Sequence, residues 1–118
     1  MAHFKTGRGG LIGIEFLVQY LQMKNRVMET NTLRAIDRLS SSVGVTERDI
    51  LRSTYTFLRR IESTLRRYSD SSVSQLPSRK EELRALARRL DFATEEEFLQ
   101  MYDARRKQAQ QIIEEHLS

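Results

Sequence analysis

Residues that interrupt helices are almost absent from this sequence beyond its first thirteen positions. Pro77 is the only proline, and Gly44 is the only glycine after Gly13. The rest of the chain is rich in Leu, Arg, Glu and Ala, which form helices readily. We therefore predict an all-α fold, an antiparallel bundle of about five helices joined by short links.

Apolar residues spaced three and four positions apart place these helices along the chain. The predicted ranges are Leu11 to Lys24, Thr32 to Ser41, Thr46 to Ser69, Arg79 to Leu90 and Glu95 to Leu117. The third helix has the widest apolar stripe, which runs from Leu51 to Tyr68 and includes Tyr55, Leu58 and Ile61. A stripe this wide predicts that the helix packs against more than one neighbour.

Two capping boxes mark the starts of the last two predicted helices. Ser78 with Glu81 and Thr94 with Glu97 have the spacing at which the hydroxyl accepts from the third helical amide. In the same motif the carboxylate accepts from the amide of the capping residue. We expect both helices to begin directly after these hydroxyl residues.

The predicted connections carry their own signals. Gly44 is expected to end the second helix or to form a turn, and Thr46 to cap the third helix. The polar stretch from Ser69 to Pro77 is the longest predicted loop. Phe92, before the last helix, is expected to pack against Phe98.

Size and composition exclude several classes of protein. The 118 residues suit a single domain, and the absence of cysteine excludes disulfides and thiolate metal sites. No apolar run approaches the roughly 20 residues that cross a bilayer, and no signal peptide is visible. We expect a cytoplasmic chain without a membrane partner.

The surface charge favours an ordinary solvated helical domain over a nucleic-acid-binding protein. Twenty Lys and Arg face sixteen Asp and Glu, a net charge of +4, and the two signs are mixed along the helices. A nucleic-acid footprint would cluster its cations on one face. Nucleic acid is therefore an unlikely partner.

Catalytic residue sets are also absent from the sequence. His3 and His116 stand at opposite ends of the chain and are predicted to be surface residues. The acidic run Glu95–Glu97 suits the first turn of a helix, where the macrodipole favours negative charge. Neither catalytic residues nor metal ligands are predicted, and no cofactor is expected to bind this chain alone.

The stretch KTGRGG before the first helix has the glycines and cations of a phosphate-binding turn. It is not a Walker A loop, because Lys5 precedes the glycines instead of following them at the helix start. A glycine-containing linker is an equally open interpretation of the pattern alone.

Two longer stretches resemble the glutamine synthetase adenylyltransferase/adenylyl-removing family. The first, GRGGLIGIEFLVQYLQ, matches that family's G-x-G-G element at Gly7, Gly9, Gly10, Leu11, Ile14, Glu15, Phe16 and Gln19. The second, YTFLRRIESTLR, resembles the family's Y-x-F-L-R-x-x-E-x-x-L at Tyr55, Phe57, Leu58, Arg59, Glu62 and Leu65. The segments QLP, LARRLDF and EFLQMYDARR then follow in the family's order, so the resemblance spans residues 5–117.

The resemblance implies a helical domain that follows a nucleotidyltransferase core in a two-half enzyme. One half of that enzyme transfers AMP from ATP to a tyrosine of glutamine synthetase, and the other removes it by phosphorolysis. The metal-binding aspartates, and with them ATP and magnesium, belong to the core. Residues 1–118 are then a fragment that is inactive alone, and its implied partners are the core, glutamine synthetase and the nitrogen-signalling PII protein.

Several matched residues become candidates for a nucleotide-side or interdomain role, namely Arg8, Gly9, Gly10, Glu15 and Gln19. A different role remains open for the glycines, for Arg8 and for Glu15. The glycines could form a hinge, Arg8 could face solvent, and Glu15 could stabilise the dipole from the first helical turn.

The second motif is interpreted as structural. Tyr55, Phe57 and Leu58 are predicted core residues. Arg59 and Glu62, three residues apart on one helix, form either a local surface pair or a buried pair that fixes helix packing.

The chain departs from the family pattern at a few positions. Gly13 stands where the family has an acid, and Ser63 and Thr64 replace other polar residues after Glu62. These departures indicate a divergent or degenerate half of the enzyme, and the adenylylating and deadenylylating halves both stay open. A non-enzymatic helical adaptor is the alternative interpretation of the whole chain.

Overall fold

The predicted all-α bundle of five helices is confirmed. The computed structural model describes residues 3–40, 42–68 and 75–117. Its helices are α1 (Leu11–Asn25), α2 (Thr32–Arg38), α3 (Val45–Tyr68), α4 (Lys80–Arg89) and α5 (Glu95–Leu117). The described ranges contain no strand, only an isolated antiparallel bridge between His3 and Gln75.

The two longest helices, α3 and α5, organise the bundle. α3 contacts all four other helices, as its wide apolar stripe predicts, and α5 contacts α1, α3 and α4. The core between them contains Phe4, Ile14, Leu58, Phe98 and Tyr102, all of them buried. Phe4 belongs to the N-terminal segment, residues 3–10, which therefore packs as part of the bundle.

One residue of the predicted α3 stripe does not point inward. Tyr68 is exposed, and the guanidinium of Arg89 lies 3.7 Å from its ring centre. Tyr68 is the last residue of α3 and lies beyond the part of the helix that the core covers. A cation–π contact with α4 takes the place of core packing there.

Helix ends differ from prediction around the second connection. α2 ends at Arg38 instead of Ser41, and residue 41 lies outside the described ranges. α3 begins at Val45, so Thr46 is not its cap. Gly44 occupies the capping position instead: its carbonyl accepts from the Arg48 amide at 2.9 Å.

The two predicted capping boxes have opposite outcomes. Thr94 caps α5 as expected, because its hydroxyl accepts from the Glu97 amide at 3.1 Å. The ring centres of Phe92 and Phe98 are 5.5 Å apart, which confirms that contact. For α4 the prediction is wrong by one residue: the cap is Arg79, which makes no side-chain capping bond, and Ser78 lies outside the helix.

Two further predictions concern the loop before α4 and the absence of membrane-spanning helices. Residues 69–74 of the predicted loop lie outside the described ranges, and Leu76 at its end is buried. Within the described residues, no helix combines the length and the apolar character that crossing a bilayer requires.

Candidate functional site

The glycine turn, Gly7–Gly10, leads directly into α1, and the amides of its three glycines already donate hydrogen bonds. Four amides at the turn and at the helix start donate at 2.9–3.0 Å to main-chain carbonyls of residues 3–7. These are the amides of Gly7, Gly10, Leu11 and Ile12. The Gly9 amide donates to Oε1 of Gln110 on α5 at 2.8 Å. The turn is therefore internally hydrogen-bonded and attached to α5.

Close contact with α5 explains why glycine is needed in this turn. Gly9 has a φ of 68°, in the left-handed region, and a Cβ atom there would overlap the carbonyl oxygen of Arg106. A Cβ on Gly10 would lie 2.6 Å from the Phe4 carbonyl oxygen. Both glycines are buried, and they permit two main-chain segments to approach more closely than other residues allow.

Arg106 is the residue of this site that the sequence reasoning missed. It lies on α5 with only 5% of its surface exposed, and its guanidinium donates to the Tyr102 hydroxyl at 3.2 Å. Burial raises the pKa of Tyr102 to about 12. A signal was present, because Arg106 falls on the apolar face of α5, four residues after Tyr102 and three before Ala109.

A cavity of about 290 Å³ opens beside the glycine turn, between the N-terminal segment and α5. Its lining includes the cations Arg8, Arg106 and Lys107 together with the acids Asp103 and Glu114. Arg8 bonds to Glu114 at 2.6 Å, so its charge is already paired. Arg8 nevertheless stays exposed and is the turn's most accessible charged group.

Glu15 connects the first family motif to the second. Its Oε2 accepts from the Tyr55 hydroxyl on α3 at 2.7 Å, and the contact is partly buried. Burial first, and then this bond, raise the pKa of Tyr55. The first turn of α1 contains no acid, because Glu15 lies in the second turn; the interpretation of Glu15 as a first-turn dipole residue is therefore wrong.

Glu62 connects the second motif to the N-terminal segment just ahead of the first motif. This carboxylate is only 2% exposed, which rules out a purely surface pair with Arg59. It lies 2.7 Å from Arg59, 3.5 Å from Arg66 and 3.4 Å from Lys5 of the N-terminal segment. The three cations are partly exposed, so their charges stay solvated while the acid is held between α3 and the N-terminal segment.

The remaining candidate residues are the apolar residues of the second motif and Gln19, and they lie in different parts of the bundle. Tyr55 and Leu58 are buried and Phe57 is half-buried, in agreement with their predicted core role. Gln19 is exposed on α1 and lines a groove with Met23 and Met28, away from the glycine turn. The two motifs thus meet through Glu15 and Tyr55, whereas Gln19 belongs to a different surface.

The ionisable residues that the structure describes form no metal centre. Within residues 3–40, 42–68 and 75–117, no group of three His, Cys, Asp or Glu side chains is placed to hold an ion. Glu95, in the acidic first turn of α5, is buried and pairs with Arg84 at 3.6 Å. His3 is exposed as predicted, whereas His116 is half-buried 3.4 Å from Glu47.

Comparison with known proteins adds two findings. The family model described as GlnD PII-uridylyltransferase matches residues 2–117. Similar curated proteins are named bifunctional glutamine synthetase adenylyltransferase/adenylyl-removing enzyme: one from Bradyrhizobium diazoefficiens is 36% identical over 80% of this chain, and one from Mycobacterium avium is 31% identical over 94%. The chain spans only 10% and 12% of those two proteins.

Proposed function

This chain belongs to the GlnD PII-uridylyltransferase family, and we propose that it is the helical domain of an enzyme that adenylylates and deadenylylates glutamine synthetase. Such an enzyme would regulate nitrogen assimilation. The observation that carries the proposal is the similarity of nearly the whole chain to proteins with that name. The resemblance of both sequence motifs to the same enzymes supports it further.

The domain's role in this proposal is to support a nucleotidyltransferase core on its ATP side. Arg8, Gly9 and Gly10 form the turn that would face the core, and Glu15 and Gln19 follow on α1. Hydrogen bonds and ion pairs hold this region firmly on α3 and α5. A rigid turn of this kind supports the role, because a core needs a fixed surface to orient against.

The core would supply the reacting groups, together with ATP and magnesium. We therefore expect the isolated 118 residues to transfer no AMP. The test compares this chain with the complete polypeptide of its source gene, using radiolabelled ATP and purified glutamine synthetase. Label transferred by the complete polypeptide alone supports the proposal, and label transferred by the isolated chain contradicts it.

A second candidate activity follows from the family description, which names PII uridylylation. The same assay distinguishes it when UTP replaces ATP and PII replaces glutamine synthetase. Transfer of UMP to PII without transfer of AMP to glutamine synthetase would favour this second activity. No transfer in either arm would favour the helical adaptor.

A single substitution tests the supporting role of this domain. Gln19→Ala changes an exposed α1 side chain, and Gln108→Ala is the matched control because Gln108 is exposed on α5. We expect Gln19→Ala alone to lower AMP transfer by the complete polypeptide, while both variants keep the thermal stability of the isolated chain. Equal activity of the two variants would remove Gln19 from the interdomain surface.

A further inference from the structure

One helix of this bundle is apolar on two sides. α1 contains nine large apolar residues among its fifteen. Five of these are buried in the bundle, namely Leu11, Ile14, Leu17, Val18 and Leu21. The other four face outward. A helix that is apolar all round is ordinarily buried on all sides, but this bundle covers only one side of α1.

The outward-facing residues form a continuous strip, which we call the outer stripe: Ile12, Phe16, Tyr20 and Met23. Their exposed fractions are 47%, 60%, 39% and 80%. Met28, just after the helix, is also exposed and extends the strip into a groove of about 590 Å³. Other large exposed apolar residues in the described ranges are scattered, whereas these are contiguous.

The spacing of the outer stripe fits a helix as its occupant. Ile12, Phe16, Tyr20 and Met23 follow one another at four, four and three residues. A spacing of three and four residues is the one with which one helix presents a seam to another helix. A strand or an extended peptide would not match a seam of this period along 16 Å of helix axis, at about 1.5 Å per residue.

Charge indicates what kind of helix fits there. Lys24 and Arg26, at the end of α1, are exposed and make no ion pair within the described residues. Two copies of this chain paired in parallel through the stripe would place these cations against each other. A parallel pair of copies is therefore electrostatically unfavourable, and a helix with acids at this end is complementary.

We propose that the outer stripe is covered by an amphipathic, acid-flanked helix from another part of the same polypeptide. The chain spans about a tenth of the curated proteins that it resembles, so a large part of such a polypeptide lies outside these 118 residues. The inference rests on the proposed function, in which this chain is one domain of a longer enzyme. It identifies α1 as the helix through which the domain attaches to the rest of that enzyme.

Cysteine labelling tests the proposal directly, because the chain has no cysteine of its own. Phe16→Cys and Met23→Cys place a thiol on the outer stripe, and Val45→Cys places one at an exposed apolar position on α3. Each variant is made in the isolated chain and in the complete polypeptide. The probe is N-ethylmaleimide, and peptide mass spectrometry gives the rate at each site.

We expect labelling at positions 16 and 23 to be at least about tenfold slower in the complete polypeptide, since a closed interface reacts only through local opening. Position 45 should react equally in both forms. Equal rates at positions 16 and 23 in the two forms would overturn the proposal. So would a source gene that encodes no additional chain, or slow labelling of the isolated chain together with the mass of a dimer in solution.

Cross-linking from the same cysteines identifies the occupant. A maleimide–diazirine reagent at positions 16 and 23 should capture residues spaced three and four apart in one segment of the complete polypeptide. Captured residues that alternate by two, or that lie in several segments, would refute a covering helix.

The AMP-transfer assay separates this inference from the proposed function. A complete polypeptide that transfers AMP while positions 16 and 23 stay reactive refutes the covering helix alone. Protection of these positions without AMP or UMP transfer refutes the proposed function alone.

Discussion

Replacing Gly9 by alanine should destabilise the bundle more than any other single methyl addition to the glycine turn. Its left-handed φ of 68° costs a non-glycine residue about 1–2 kcal/mol. The added methyl would also overlap the Arg106 carbonyl oxygen. That oxygen belongs to the backbone of a 23-residue helix and cannot rotate away. Overpacking of this kind costs about 1–3 kcal/mol.

Together these terms predict a loss of about 2–5 kcal/mol in the free energy of unfolding. For a domain of this size, that corresponds to a fall of about 8–20 °C in Tm. The hydrogen bond from the Gly9 amide to Gln110 would be displaced at the same time. The expected loss is a large fraction of the stability that a small domain typically has.

Urea denaturation followed by circular dichroism at 222 nm measures this loss. Gly44→Ala is the matched control, because a Cβ atom on Gly44 would meet nothing within 4 Å. Its stability should fall by no more than about 1 kcal/mol, because Gly44 occupies the capping position of α3 and alanine caps a helix less well than glycine. Equal stability of Gly9→Ala and Gly44→Ala would show that the turn does not pack against α5 as described.

Four further substitutions test the contacts around the site. Glu62→Gln should lower the free energy of unfolding by about 1–2 kcal/mol, because it removes the charge that three cations share; an unchanged urea midpoint would contradict this. Tyr55→Phe removes the hydroxyl that donates to Glu15 and should cost about 1–2 kcal/mol in the same assay, whereas no loss would show that the bond is not formed. The parent chain should lose roughly 2 kcal/mol between pH 10 and 12, because Tyr102 binds its proton more tightly in the folded state than in the unfolded state. Tyr102→Phe should weaken that pH dependence, and an identical alkaline profile would refute the raised pKa. Gly13→Asp should stabilise α1 by about 0.5–1 kcal/mol through helix propensity and the macrodipole; unchanged stability and unchanged activity of the complete enzyme would show that the departure at this position has no consequence.

The helices were predictable because two independent signals agreed along the chain. The near absence of proline and glycine favours helix everywhere, and the apolar period fixes which side of each helix is buried. α5 was predicted to its terminal residues, and the inward residues of α1 are all buried. Packing of those stripes stabilises the bundle far more than any local end signal does.

Helix ends were less predictable for the same reason. A cap contributes about 1 kcal/mol, so a favourable sequence pattern can lie a residue or two out of register with the helix that packing selects. Ser78 stands one residue before the observed cap of α4, and Thr46 stands two residues after that of α3. Gly44 has no side chain, so its capping role leaves no signal in the sequence. The Glu47 carboxylate nevertheless accepts from the Gly44 amide at 3.4 Å, as the acid of a capping box does.

Arg106 shows what sequence alone could not reveal about the site. Arg105 and Arg106 are adjacent and chemically identical, yet only Arg106 is buried. The difference arises because the glycine turn packs on one side of α5, a contact between residues about 100 positions apart. Local periodicity placed Arg106 on the apolar face, but it could not indicate what would cover that face.

The glycine turn itself shows how a pattern can suggest the wrong chemistry. Its glycines and cations are typical of a phosphate-binding loop, whose free amides surround the anion. Here five amides at the turn and helix start already donate to protein oxygens. A phosphate bound by those amides would have to displace bonds with a net stability of about 1 kcal/mol each. A nucleotide contact at this turn would therefore use the exposed guanidinium of Arg8, while the glycines permit the close packing on α5 that holds Arg8 in place.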